Sequence, residues 1–392
     1  MQEIIETYLE KYLPRKDIIH RLPVSLPISK VWPELQKARK DKSESLPLLS
    51  IDGKPFWWVL TESISSQADE VISLARREIV FDRPEYEEAF REAVLDEAVY
   101  SSVIEGAFTT KKEAQEFIHE GRSPKNKSEQ MVKNNYEALT YVLEHIDESI
   151  TEQTIFDIYA LVTKDTLEAD VPTNAYRSES VFVQSSRGEI VHTAPEAEKV
   201  SGMMASLLEF ITNNELSPLI KACIAHFYFV YVHPFIDGNG RTARALSFMM
   251  LLQAGYDFFR YFSISGVIAE ERAKYYKAIK DVEDDDFDMT YFIDYYTGML
   301  ARAVKAMEER LVDKVVMEQT LDKLKAAGMN SRVIEGAKWI LTSPNQSITI
   351  KAWQKKFGVV LETARQDLFK LEDAGIVHRK LVKRQYVFEV KK

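Results

Sequence analysis

His233, Asp237, Arg241 and Arg244 fall within one stretch of twelve residues, His233-Pro234-Phe235-Ile236-Asp237-Gly238-Asn239-Gly240-Arg241-Thr242-Ala243-Arg244. Successive N–H groups of a Gly-rich turn form an anion-binding concavity, and the positive end of a following helix points into it. Arg241 and Arg244 are three residues apart and share a helix face. Each can fork onto phosphate oxygens. Asp237 offers a hard oxygen ligand to a magnesium ion bridging those phosphates. His233 is the group here that can take a proton near neutral pH. A base, a metal ligand, a phosphate nest and two arginines together point to phosphoryl or nucleotidyl transfer. A surface turn with incidental charges would explain Gly-Asn-Gly alone, but not the whole set.

The flanking residues predict how the set is held. Ser217 is an N-cap residue and Pro218 suits the first helical position. The run to Val232 is almost wholly apolar, and a helix apolar on nearly every side is buried. Pro234 cannot continue it. A second apolar helix is expected from near Arg241 to Ala254, with Gly255 where a C-cap belongs. The motif is thus read as a loop between two buried helices.

The twelve residues match the pattern H-P-F-x-[DE]-G-N-G-R-x-x-R at every fixed position, and the chain resembles the Fic (filamentation induced by cAMP) family. The resemblance covers roughly residues 60–300. It implies an enzyme, a protein adenylyltransferase that moves AMP from ATP to a Ser, Thr or Tyr hydroxyl of a target protein. On that likeness His233 is the base and Asp237 the magnesium ligand. Gly238, Asn239, Gly240, Arg241 and Thr242 bind the nucleotide, and Arg244 holds the γ-phosphate.

Three further assignments come from the resemblance. Ser101, Glu105 and Gly106 match the family's inhibitory pattern [ST]-x-x-x-E-[GN], here N-terminal to the catalytic motif. By itself this stretch reads as a helix end stopped by Gly106. With the resemblance, Glu105 is expected to pair with Arg244 and hold the enzyme off. Residues 180–184 and 189–193, separated by Ser185-Ser186-Arg187-Gly188, read as a β-hairpin. The resemblance makes it the flap over the site, with Val191, His192 and Thr193 near the nucleotide. Tyr275 and Tyr276 read as core or surface aromatics by spacing, and as adenosine contacts by resemblance. His226, two turns before His233, is expected to be a buried, hydrogen-bonded histidine.

The composition sets the bounds. The chain has 392 residues, 45% hydrophobic and 29% charged, with a net charge of −10, long enough for two or three domains. That charge argues against coating by nucleic acid, though not against a local basic patch. The single cysteine, Cys223, gives no intrachain disulfide. The charged N-terminus is no signal peptide, and no apolar run is long enough for a bilayer, so a cytoplasmic protein without membrane contact is expected.

The fold expected is mainly α: a Fic-type helical core, a β-hairpin flap and a small C-terminal winged helix. Residues 1–122 form an N-terminal helical segment with the inhibitory motif, its first sixty residues read as short helices and extended stretches. Residues 123–300 form the catalytic core and 301–330 a connecting helix. Residues 331–392 read as three helices and two strands around Lys380–Arg384. Asp284-Asp285-Asp286 reads as a solvated loop. Residues 331–392 carry nine Lys and four Arg against four Glu and two Asp, a net +7, leaving about −17 on the rest. This raises DNA contact through 331–392, by Arg365, Gln366 and Lys370, or a protein-binding module; the resemblance raises a homodimer. Three alternatives stay open: another phosphate-containing donor such as UTP or CDP-choline, removal of AMP with Glu105 placing a water, and a transcriptional regulator acting through the winged helix.

Overall fold

A computed structural model of the chain describes residues 1–75, 84–168, 171–184, 190–342, 347–382 and 385–391. In chain order the elements are α1 (Gln2–Lys11), α2 (Arg15–Ile19), α3 (Ile28–Lys40), β1 (Glu44–Leu49), β2 (Pro55–Trp58), α4 (Glu62–Ala75), α5 (Pro84–Ile104), α6 (Lys111–His119), α7 (Lys127–Glu144) and α8 (Glu152–Thr163). There follow β3 (Phe182–Gln184), β4 (Ile190–Thr193), α9 (Ala197–Asn213), α10 (Pro218–Val232), α11 (Asn239–Gln253), a 3-10 turn (Asp257–Tyr261), α12 (Ile264–Glu270), α13 (Arg272–Asp284) and α14 (Thr290–Ala326). The last are α15 (Ser331–Thr342), β5 (Ser347–Thr349), α16 (Ile350–Phe357), α17 (Leu361–Asp373), β6 (Val377–Val382) and β7 (Gln385–Val390). The fold is mainly α, and no described helix is long and apolar enough to cross a membrane. The chain divides into two compact units, Met1–Lys305 and Ala306–Lys392.

The first unit is built around α10 and α11. An all-apolar helix must be enclosed, and nearly every residue of α10 is buried. Its start follows local chemistry: the Ser217 side chain accepts from Ile220 N–H, with Pro218 in the first turn. α11 packs against α10, α8, α7 and α5. Phe235, in the intervening loop, stacks flat on Tyr159 of α8, with ring centroids 3.6 Å apart. That stacking pins the loop between α10 and α11 to the bundle.

Two expectations for this unit are corrected. Residues 1–60 contain a β-hairpin as well as helices. β1 and β2 pair antiparallel, and Phe56 of β2 packs edge-on against Phe227, Tyr228 and Tyr231 of α10. The acidic run after α13 is not a solvated loop. Asp285 and nearby Asp288 are buried. Asp285 accepts from the Arg15 N–H and Asp288 from the Tyr12 hydroxyl. Asp286 pairs with Lys40 and Lys54. Buried carboxylates persist where donors meet them, and here Tyr12, Arg15, Lys40 and Lys54 of the N-terminal segment supply donors. Burial still raises the Asp288 carboxyl to about 6.

The hairpin at 180–193 forms as β3 paired antiparallel with β4, in the register Phe182↔Thr193 and Val183↔His192. The expected turn at 185–188 lies outside the described residues. The 301–330 helix is the latter part of the 37-residue α14.

The second unit is the end of α14, a further helix, a short strand, two helices and two strands, with sheet order β5-β7-β6. Its core holds Val333, Trp353, Leu368 and Phe388, all fully buried. Trp353 Nε1 donates to Asp367 at 3.1 Å, and Arg332 forks onto the same carboxylate at 2.7 and 3.1 Å. This strand-flanked arrangement places Arg365, Gln366 and Lys370 on the exposed side of α17.

Candidate active site

His233 ends α10 in a left-handed conformation, φ 50° and ψ 59°. Its Nδ1 lies 3.2 Å from Val230 O. A carbonyl can only accept, so Nδ1 carries the proton and Nε2 keeps its lone pair. Burial lowers its pKa to about 4, helped by His192 and Arg177 and opposed by the Val230 bond and Glu105. A neutral imidazole with a free Nε2 can accept a proton.

The loop is folded by its own side chains. Asn239 accepts from Phe235 N–H at 2.9 Å and donates to Phe235 O at 2.8 Å. Its side chain therefore fixes the turn, leaving only its main chain for a ligand. Gly238 has φ +79°, and a Cβ there would lie 2.7 Å from Thr163 Cγ2, so a side chain is excluded on two counts. The Asp237 carboxylate accepts from Gly238 N–H at 2.6 Å and is 45% exposed.

Arg241 is fully buried; Nη1 donates to Val162 O at 2.9 Å, and Nη2 lies 3.5 Å from Asp237. Burial opposes its charge. Thr242 is buried, and its hydroxyl has no partner among the described residues.

Arg244 meets α5. Nε donates to Ser101 Oγ at 2.8 Å, and Nη2 to Ser101 O at 2.8 Å and to Glu105 Oε1 at 2.9 Å. Burial opposes the guanidinium charge, but Glu105 more than restores it, so its pKa stands above the ordinary value. A Cβ on Gly240 would meet Glu105 Oε1 at 2.1 Å and Arg244 Nη1 at 3.1 Å. The carboxylate therefore lies against the Gly240 main chain. Arg244 Nη1 is buried without a hydrogen-bond partner. Gly106 follows the helix with φ +93°.

The other expected residues divide. His192 on β4 reaches Tyr231 O through Nε2 at 2.8 Å, and its Nδ1 lies 2.8 Å from Glu283 of α13. These contacts tie β4 to α10 and α13. Val191 and Thr193 flank it on the same strand. Tyr275 is buried and its hydroxyl bonds to the fully buried His226 at 2.8 Å; it stands in the wall behind Arg244. Tyr276 is the more exposed of the two and reaches Ile104 O at 3.4 Å, beside the end of α5.

Two buried residues at the site carry no sequence signal of their role. Arg177 binds the main chain around His233. Glu97, two turns before Glu105 on α5, accepts from Ser263 Oγ at 2.7 Å and Ser265 N–H at 2.9 Å, and also meets Ser265 Oγ. It ties α5 to the start of α12.

A neutral imidazole, a Gly-rich turn and two arginines are thus brought together where α10 meets α11, and residues 149–251 match the family described as Fic/DOC. These residues are similar to a Fic domain. A protein adenylyltransferase Fic of Nematostella vectensis is 30% identical over 210 residues, which is 50% of this chain and 45% of that relative. The chain therefore spans less than half the length of this curated relative. A Fic family protein from Desulfovibrio desulfuricans G20 superposes with a TM-score of 0.56 at 21% identity, covering 85% of this chain and 98% of that one. Fic-1 (residues 134–508) from C. elegans gives 0.50 at 20% identity, covering 63% and 71%. At these identities the likeness is one of fold. The matched residues run from the start of α8 into α11 and include His233 and the Gly-rich turn.

Proposed function

We propose that the protein transfers AMP from ATP to a hydroxyl side chain of a target protein, and that Glu105 holds the resting enzyme off. The observation that carries this reading is the pairing of a neutral, half-buried His233 with an anion nest whose Arg244 is already bound to a carboxylate, at 2.9 Å. In the transfer, His233 Nε2 takes the proton of the target hydroxyl. The hydroxyl oxygen attacks the α-phosphorus, the bond to the bridging oxygen of the β-phosphate breaks, and pyrophosphate leaves with that electron pair. The N–H groups from Asn239 to Arg241 and the Arg244 guanidinium stabilise the phosphate charge, usually the largest catalytic effect of this kind.

Asp237 suits a magnesium ion that is held by one carboxylate and completed by phosphates and water. It is a half-exposed carboxylate, and no cluster of three or more His, Cys, Asp or Glu occurs among the described residues. When bound, the ion would neutralise phosphate charge at the leaving group. On this reading Glu105 competes for the γ-phosphate position, so a nucleotide bound beside it would be misplaced for in-line attack; such misplacement costs about 10²-fold. Tyr276 and the β4 strand would flank the nucleotide and the target segment, an exposed strand edge being able to take an extended peptide.

Incubation of Glu105→Gly with labelled ATP, UTP and CDP-choline tests the donor and the inhibition together. Label should pass from ATP, and faster than in wild type. Preference for another donor, or labelling no faster than wild type, would overturn the reading. If Glu105→Gly instead loses an AMP-removing activity that wild type has, Glu105 acts in hydrolysis.

A second reading concerns the C-terminal unit, which we read as a winged helix. Residues 331–392 carry net +7. The Arg365 and Arg379 guanidinia lie 5.2 and 5.0 Å from the Phe369 ring centroid, which fixes two exposed cations beside α17. DNA binding by this face should weaken steeply with salt and survive His233→Ala. Salt-insensitive or absent binding by the full chain removes it.

A further inference from the structure

A helix C-terminus leaves its last carbonyls without partners inside the helix. At the end of α10 each carbonyl from residue 230 to 234 is taken. Val230 O meets the His233 ring at 3.2 Å, and Tyr231 O meets His192 Nε2 at 2.8 Å. Val232 O and His233 O accept from Arg177, Nη2 at 3.4 Å and Nε at 2.8 Å. Pro234 O accepts the main-chain N–H of Arg177 at 2.9 Å. The same guanidinium donates to Glu179 O at 2.7 Å and to Pro195 O at 2.6 Å. Glu179 precedes β3 and Pro195 follows β4.

Arg177 is 5% exposed, and its hydrogen-bond partners among the described residues are all carbonyl oxygens. A buried cation without a paired anion is costly. The negative end of α10 offsets part of that cost. The planar, five-donor fork is what lets one side chain satisfy carbonyls from three segments at fixed angles, and a lysine could not reproduce it.

We infer that Arg177 is a positioning residue, clamping the main chain of His233 to both roots of the β3–β4 hairpin so that the base and the strand beside it keep one frame. This rests on the transfer reading above. The left-handed conformation of His233 is uncommon for a residue with a side chain and persists because its carbonyl is held from outside. A helix C-terminus would otherwise favour a protonated imidazole, the wrong state for a base. The guanidinium opposes that, as does His192 from β4, while Glu105 from α5 acts the other way.

The test uses the full chain carrying Glu105→Gly, with Arg177→Lys and Arg177→Gln added. Both should lower kcat by about 10²-fold, the cost of misplaced reacting groups. KM for ATP should stay within about twofold, because the Arg177 guanidinium spends its hydrogen bonds on residues 179, 195, 232 and 233 and none, among the described residues, on Gly238 to Arg244. Arg177→Gln should move the acid limb of the pH–rate profile upward; Arg177→Lys, which keeps the charge, should not. Should Arg177→Gln fail to fold, Arg177→Ala assayed with millimolar guanidinium chloride replaces it, and recovery of kcat supports the inference. A wild-type kcat in Arg177→Lys, a loss that only tracks the unfolded fraction, or a folded Arg177→Ala without recovery overturns it. If the Glu105→Gly parent transfers nothing, the transfer reading falls and takes this inference with it. An active parent matched by its Arg177→Lys derivative sinks this inference alone.

Discussion

An imidazole works as a base only while it is neutral. Burial brings His233 down to about 4 from an ordinary 6.5, so acidification from pH 7 to 5 leaves its lone pair available. Transfer by Glu105→Gly should therefore persist through pH 6 and fall only as the pH approaches about 4. A limb at 6.5 in the pH–rate profile would mean an exposed base. His233, Asp237, Arg241 and Arg244 were readable because turn residues and spacing carry their chemistry. Arg177 was not readable, because its partners are main-chain carbonyls, which every residue has. Nor did the sequence separate the ligand-facing from the structural members of the motif. Asn239 and Arg241 spend side-chain bonds on Phe235 and Val162, and only the fold reveals that.

At the scale of elements, the proposed inhibition by Glu105 would depend on how firmly α5 is seated. Glu97 fixes it to α12 through buried Ser263 and Ser265. Glu97→Ala strands those donors, which costs about 2 kcal/mol by the usual penalty for unsatisfied buried groups. Chemical denaturation should register that loss, and labelled-ATP assays should show faster basal transfer with Glu105 still present. Unchanged basal transfer in a destabilised protein would mean that seating does not control Glu105. Gly238→Ala acts on the loop instead. Its φ of +79° and the 2.7 Å approach to Thr163 predict a loss of about 1–3 kcal/mol and little transfer, measured by melting and the same assay. Helix positions followed from caps: the start at Ser217, with Pro218 in the first turn, was legible to the residue. The β1–β2 hairpin was not, because Pro47 and Pro55 argue against strands. Its paired register and the burial of Leu46 and Leu48 appear only when it packs.

On the scale of the whole molecule, charge and packing separate the two units. The +7 of residues 331–392 was visible by counting. The enclosure of Asp285 and Asp288 was not, because the groups that meet them, Arg15, Tyr12 and Arg39, lie some 250 residues away in sequence. Within the second unit, Gly336 faces Trp353, and a Cβ there would lie 1.8 Å from the indole. Gly336→Ala should overpack that core by about 1–3 kcal/mol. Calorimetry should show a lowered transition for this unit, while AMP transfer at temperatures below it is kept. Loss of transfer in the folded variant would show that the catalytic unit depends on its neighbour.

The account stands most directly on which phosphate moves. Glu105→Gly should be incubated in parallel with ATP labelled at the α-phosphate and at the γ-phosphate, with magnesium, a cell lysate and a His233→Ala control. Protein-bound label from the α-position alone, abolished by His233→Ala, is the expected result. Label from the γ-position, or α-label that survives the loss of His233, would contradict it.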